Sequence, residues 1–137
     1  MTSVVLVVTV LTGCAAGFGE DSGRCSVSVD QPHESSGTPG SIVGKARIRC
    51  DVAAADVQLH VVLEEEGDGG WIEIGTPSDP VVGAVQPGAP HTRQATTGCR
   101  GGTFRTGAHG SGRLGGVLSQ SRNRIYSRPV SNPCVVR

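Results

Sequence analysis

The sequence predicts an all-β fold, a small antiparallel β-sandwich of about seven strands. Apolar residues recur at period two in run after run, rather than at the period of about 3.6 that marks a helix. Glycine and proline, 21 and 8 of the 137 residues, punctuate those runs. Four cysteines are spread through the polar body as potential staples. The length suits one domain, since domains commonly hold about 100 to 150 residues around a single core. Phe18, Trp71, Phe104 and Tyr126 are the only aromatic residues, and the many glycines raise the backbone entropy lost on folding. A core this short of bulk is expected to need cross-links.

The first strand is expected at residues 25–29 (CSVSV), which alternate. Residues 42–52 place Ala46, Ile48 and Cys50 on one face, and 57–63 (VQLHVVL) follow. Glu66-Gly67-Asp68-Gly69-Gly70 then separates VQLHVVLEE from WIEIG, which predicts a hairpin because Gly and Asp tolerate positive φ. Trp71, or else Ile72 and Ile74, is expected to face the core. Pro77, Pro80, Pro87 and Pro90 exclude a long helix in the next stretch. Later strands are expected at 91–98, 103–109 and 125–130. An Ig-like sandwich is the nearest named architecture, in layer arrangement only: Trp71 falls late after Cys50 for an Ig core tryptophan, and Cys99 precedes Phe104 where an Ig cysteine would follow its tyrosine.

Residues 4–11 (VVLVVTVL) form an apolar run broken only by Thr9, and polar and glycine residues take over soon after Cys14. A bilayer-spanning helix needs roughly 20 apolar residues. The run has instead the length of a signal-peptide h-region. Leu11-Thr12-Gly13-Cys14 resembles the bacterial lipobox at all four positions: Leu, two small residues, then the modified cysteine. The resemblance implies export, a diacylglyceryl group on the Cys14 thiol, cleavage before Cys14 and a further, palmitate-type acyl chain on the new amino terminus. It implies a lipoprotein held on the extracytoplasmic face of a bacterial membrane. Each buried methylene contributes about 0.8 kcal/mol, so two or more chains make such residence stable. One departure is that Met1-Thr2-Ser3 carries no Lys or Arg. Lys45 is the only lysine against eleven arginines, usage that fits a GC-rich genome such as an actinobacterium's. The expected organisation is a signal peptide at 1–13, a flexible tether at 14–24 and a disulfide-stapled β-sandwich at 25–137.

Cys25, Cys50, Cys99 and Cys134 admit three pairings. Cys25 with Cys50 and Cys99 with Cys134 are preferred because each closes a loop within one end of the chain. Cys50 with Cys99, which would imitate an inter-sheet Ig bridge, is the rival.

Formal charge sums to zero, but its order along the chain is lopsided. From 51 to 80 there are eight acidic residues and no Lys or Arg, whereas 81–137 holds eight arginines and no acid. Either strands from the two halves neutralise one another, or Arg93, Arg105, Arg113, Arg122, Arg124 and Arg128 form a face for anionic lipid or an acidic partner. Arg105, Arg113, Arg122 and Arg124 are the candidates for such a binding face. Nucleic acid is not an expected partner, given so few stacking aromatics.

No motif spells out a reaction. Glu64-Glu65-Glu66 leads into a turn and lacks the loop spacing of a calcium site. His33, His60, His91 and His109 lack zinc-ligand spacing, so no metal and no cofactor is expected. Gly110 to Gly115 (GSGRLG) matches a dinucleotide fingerprint literally but has no βαβ context, and it reads as a flexible loop. GSIVGK at 40–45 falls one residue short of a phosphate loop. The expectation is therefore a non-catalytic, lipid-anchored module that binds a protein or glycan at the cell surface. One alternative is an envelope hydrolase gathering His60, Asp56 and a serine; another is a phage-encoded lipoprotein that blocks superinfection.

Overall fold

The computed structural model describes residues 14–19, 23–121 and 123–134. Thirteen strands and no helix occur among them. The first sheet runs β1 (Cys14–Phe18), β2 (Cys25–Val29), β4 (Ser41–Cys50), β9 (His91–Gly98) and β7 (Thr76–Pro77), with β3 (His33–Glu34) also on β4. The second runs β11 (Val117–Gln120), β10 (Thr103–Leu114), β5 (Ala54–Gly67) and β6 (Gly70–Ile74). Along its flanks, β12 (Ile125–Tyr126) and β13 (Val130–Ser131) pair with β10, and β8 (Val81–Val85) pairs with β5. All pairings are antiparallel. The all-β sandwich that period-two alternation predicts is the observed architecture.

The strands outnumber the expected seven because several are two-residue bridges on the margins of longer strands. Such segments are too short to show alternation in sequence.

Pleating sorts the core. Ile42, Ala46, Ile48 and Cys50 point inward from β4, and Val57, Leu59, Val61 and Leu63 from β5. Phe104 and Ala108 join them from β10. Fully burying one such large apolar side chain contributes roughly 1.5–3 kcal/mol.

Glycines let the two sheets approach. A Cβ on Gly44 would stand 2.6 Å from Thr106 Oγ1, and one on Gly110 would stand 2.9 Å from Val27 Cγ2 and 3.0 Å from Ile48 Cδ1. The glycine-rich stretch 110–115, expected as a flexible loop, is strand through Leu114, the second half of β10, and only Gly115 belongs to the turn that follows. It pairs with β5 on one edge and with β11 and Ser121 on the other. Its glycines serve close packing rather than flexibility. The GSIVGK stretch is likewise strand from Ser41 onward, where Gly44 makes room for Thr106.

Two further expectations change. Residues 14–18, placed in the tether, form β1 and pair in register with β2, and Phe18 is only 6% exposed. A single bulky ring that fits beside Gly110 outweighs the small-residue composition around it. In the hairpin, Asp68-Gly69 forms the turn between Gly67 and Gly70, where Gly70 has φ of 129°, a conformation that favours glycine. None of Trp71, Ile72 and Ile74 lies in the core proper. Ile74 packs at its margin, Ile72 is 59% exposed and Trp71 is half-buried on the outer face. β6 is the edge strand of its sheet; the register places Ile72 and Ile74 on the core-facing row, as the second alternative expects, but only Ile74 packs against the core.

Disulfides join Cys25 to Cys50 and Cys99 to Cys134, the preferred pairing. The first links directly opposed positions of β2 and β4. The second ties the end of β9 to the segment after β13, and so clamps the two sheets at one end. With loops of 25 and 35 residues, each contributes about 3–4 kcal/mol in the chain-entropy account. Gly110→Ala is expected to lower unfolding free energy by about 1–3 kcal/mol through overpacking. Gly37→Ala, which meets no atom within 4 Å, is expected to stay within about 0.5 kcal/mol. Urea unfolding of both variants checks this.

Candidate functional site

Among the described residues, the outer face of the second sheet brings together acids, arginines, histidines and two aromatic rings. Alternation sends Gln58, His60, Val62 and Glu64 outward from β5. The β5–β10 register sets Ser111, His109, Gly107 and Arg105 directly across from them. Neighbouring segments contribute Trp71 and Glu73 from β6, and Arg124 and Tyr126 around β12.

Glu64 is the hub. Its side chain is only 9% exposed, accepts a hydrogen bond of 2.8 Å from Arg105 Nε and lies 3.5 Å from an Arg124 guanidinium nitrogen. The Arg105 guanidinium also lies between two rings, 4.3 Å from the Trp71 centroid and 3.7 Å from that of Tyr126. Flat guanidinium groups stack on aromatic faces in this way. Gly107 makes the arrangement possible, since a Cβ there would lie 2.9 Å from both Arg124 Cδ and Tyr126 Cε1.

Beside this cluster His60 and His109 stack, with ring centroids 4.7 Å apart and planes 3° from parallel. His60 Nε2 donates to Gln58 Oε1 over 3.0 Å. The pKa of His109 is lowered from its ordinary value, first by burial, then by the neighbouring His60 and by Arg124. A shallow depression of about 190 Å³ opens over the pair, walled by Val62, Glu73, Pro77, Ser78, Pro80 and Arg124.

Of the four arginines named as candidates for a binding face, the three among the described residues are each engaged with an acid. Arg105 and Arg124 converge on Glu64. Arg113 lies 3.2 Å from Asp56 in a well-exposed pair, and Arg122 lies outside the described residues. Arg100 pairs with Glu65. β5 carries acids and β10 carries bases, so pairing the strands brings the opposite charges together. Asp56 faces Arg113 and His60 faces Gln58 and His109, so the geometry does not assemble Asp56 and His60 into a hydrolytic triad. Glu34 lies near Cys99 and Cys134, but both sulfurs are used in the disulfide. Cys14 opens β1, while Leu11, Thr12 and Gly13 lie outside the described residues.

The stacked histidines and the Arg105 clamp had no signal in the sequence. Their partners sit far apart along the chain, and only the register joins them. Comparison with known protein families, characterised proteins and solved structures finds no match for this chain.

Two outcomes follow from the geometry. Glu64→Gln removes the charge that two arginines share, and is expected to cost about 1.5–3 kcal/mol in urea unfolding. Because His109 binds its proton less readily folded than unfolded, the unfolded chain takes up that proton first on acidification. Its contribution to stability is full above pH about 6.5, the unfolded value, and falls as the pH drops through that value toward the lower folded one. His109→Asn is expected to flatten the dependence of the urea midpoint on pH across this window.

Proposed function

We propose that the chain is an exported lipoprotein, anchored through Cys14, whose β-sandwich is a non-catalytic binding module at the outer surface of a bacterial cell. The observation that carries this reading is the four-position lipobox Leu11-Thr12-Gly13-Cys14 directly before the folded body. The body agrees with an oxidising, extracytoplasmic setting, because its four cysteines form two disulfides with one another. In this reading a lipid on Cys14 is the means of attachment; among the described residues no helix is long and apolar enough to cross a membrane. The side chains on the outer face of the second sheet are engaged in ion pairs, stacking and hydrogen bonds among themselves, as suits a contact surface rather than a reaction centre.

Metabolic labelling with a palmitate analogue in a bacterial host tests the anchor. Wild-type protein is expected to carry label and to sediment with membranes, whereas Cys14→Ser is expected to lose both. Equal labelling of the two proteins would overturn the proposal.

A further inference from the structure

The outward face of the first sheet differs from that of the second. Along β4 the sequence Lys45-Ala46-Arg47-Ile48-Arg49 alternates strictly: Ala46 and Ile48 are buried, so the three cations point out together. Arg47 is held by Asp30 through two hydrogen bonds, at 2.8 and 2.7 Å, yet its side chain remains 43% exposed. Lys45 and Arg49 make no ion pair among the described residues. Their outward neighbours across the sheet are Ser26, Ser28, Thr92 and Gln94, together with Asp30, which stands across from Lys45 with its backbone N–H donating to the Lys45 carbonyl at 2.9 Å while its carboxylate is held by Arg47.

Toward one end this face hollows into an open depression of about 710 Å³, lined by Gly17, Arg24, Ser26, Arg49, Asp51 and Gly88. Two guanidinium-bearing residues meet one carboxylate there. The carboxylate is partly occupied, since Asp51 Oδ1 accepts from the Arg24 backbone N–H at 2.6 Å.

The position of β1 links this face to the anchor. Gly17 lies three residues beyond Cys14 on that strand, about 10 Å at the usual rise, and β4 lies two strands away from β1, again about 10 Å. Cys14 stands in register with the inward-facing residues Val29 and Ala46, so the sheet gives an acylated Cys14 proximity to the cations rather than a shared face. That spacing from Cys14 slightly exceeds the Debye length of about 8 Å at physiological salt, so attraction of these cations to anionic headgroups is weakened by screening but not abolished.

We infer that the outward face of the first sheet, formed by Lys45, Arg47, Arg49 and Arg24, docks onto the phosphate headgroups of an anionic phospholipid bilayer. Its orientation against the membrane rests on the Cys14 anchor; the charge pattern does not. The anchor supplies residence, and the cationic face lays the sandwich flat on the membrane. A basic residue held near an anionic surface strengthens association by about fivefold.

The test uses the full-length Cys14→Ser chain and sedimentation with two kinds of vesicle, pure phosphatidylcholine and a phosphatidylcholine–phosphatidylglycerol mixture. The apolar N-terminal run contributes to both, so the ratio of the two affinities is the readout. A clear preference for the anionic vesicles, lost at high salt, is expected. Adding Lys45→Gln and Arg49→Gln is expected to reduce that ratio about 25-fold, fivefold for each residue, with the urea midpoint unchanged. Val117→Ser with Leu118→Ser, at the 63% and 61% exposed tip of the β10–β11 hairpin, is expected to leave the ratio intact. Equal binding to both vesicles, an unchanged ratio in the glutamine variant, or loss of the preference in the hairpin variant would overturn the inference. So would a preference for a soluble polyanion over the vesicles. Since the chain in this assay lacks Cys14, its failure would leave the palmitate-labelling result standing, and a failed labelling would leave the vesicle ratio interpretable.

Discussion

The antiparallel ladder between β5 and β10 is the constraint on which the rest of the structure depends. It holds ten registered pairs, from Phe104 opposite Glu65 to Leu114 opposite Ala54, with one shift between Ser111 and Arg113. Side chains alternate across a strand, so one register decides both faces at once. Inward, it stacks Leu59, Val61 and Leu63 with Ala108 and Phe104 and presents Gly110 and Thr106 to the opposite sheet. Outward, it pairs Glu64 with Arg105 and His60 with His109. A slip of one residue would send the acids and bases into the core and the aliphatic residues into water.

That ladder also accounts for the charge asymmetry along the chain. The acidic half and the basic half are the two partners of one sheet, and their outward side chains meet across it. Glu64 makes the strongest case, since a nearly buried carboxylate needs the two arginines that converge on it. The exposed Arg113–Asp56 pair contributes little by comparison. Neutralisation of the second sheet leaves β4 of the first with an outward row of cations in which Arg47 is held by Asp30 and Arg49 shares a depression with Asp51. The two faces of the sandwich thus have different chemistry in a chain whose formal charge is zero.

A core with few aromatic rings is completed by fit and by cross-links. Phe18 and Phe104 bring the largest apolar volume, and glycines opposite Phe18, Val27 and Thr106 let the sheets close over it. The disulfides then act at two places, one within the first sheet and one between the end of β9 and the chain after β13. β1 depends on this packing: a short strand at a sheet edge holds its place because Phe18 is buried and because it pairs along its whole length with β2.

Local sequence determined what is local. Alternation in CSVSV, KARIRC and VQLHVVL marked the long strands, and Gly67 to Gly70 marked the hairpin turn. The spacing of Cys25, Cys50, Cys99 and Cys134 favoured the pairing that forms. Leu11-Thr12-Gly13-Cys14 is legible only as sequence, and it carries the proposed anchor. Tertiary structure decided whatever depends on a partner elsewhere in the chain. GSGRL became strand because β5, β11 and Ser121 satisfy its backbone, and residues 14–18 became strand because Phe18 finds a hole beside Gly110. The histidine stack, the ring-clamped Arg105 and the sorting of arginines into paired and unpaired sets arise from contacts between distant segments. A period of two states which residues share a face, but which face meets which partner is fixed only when strands far apart in sequence align.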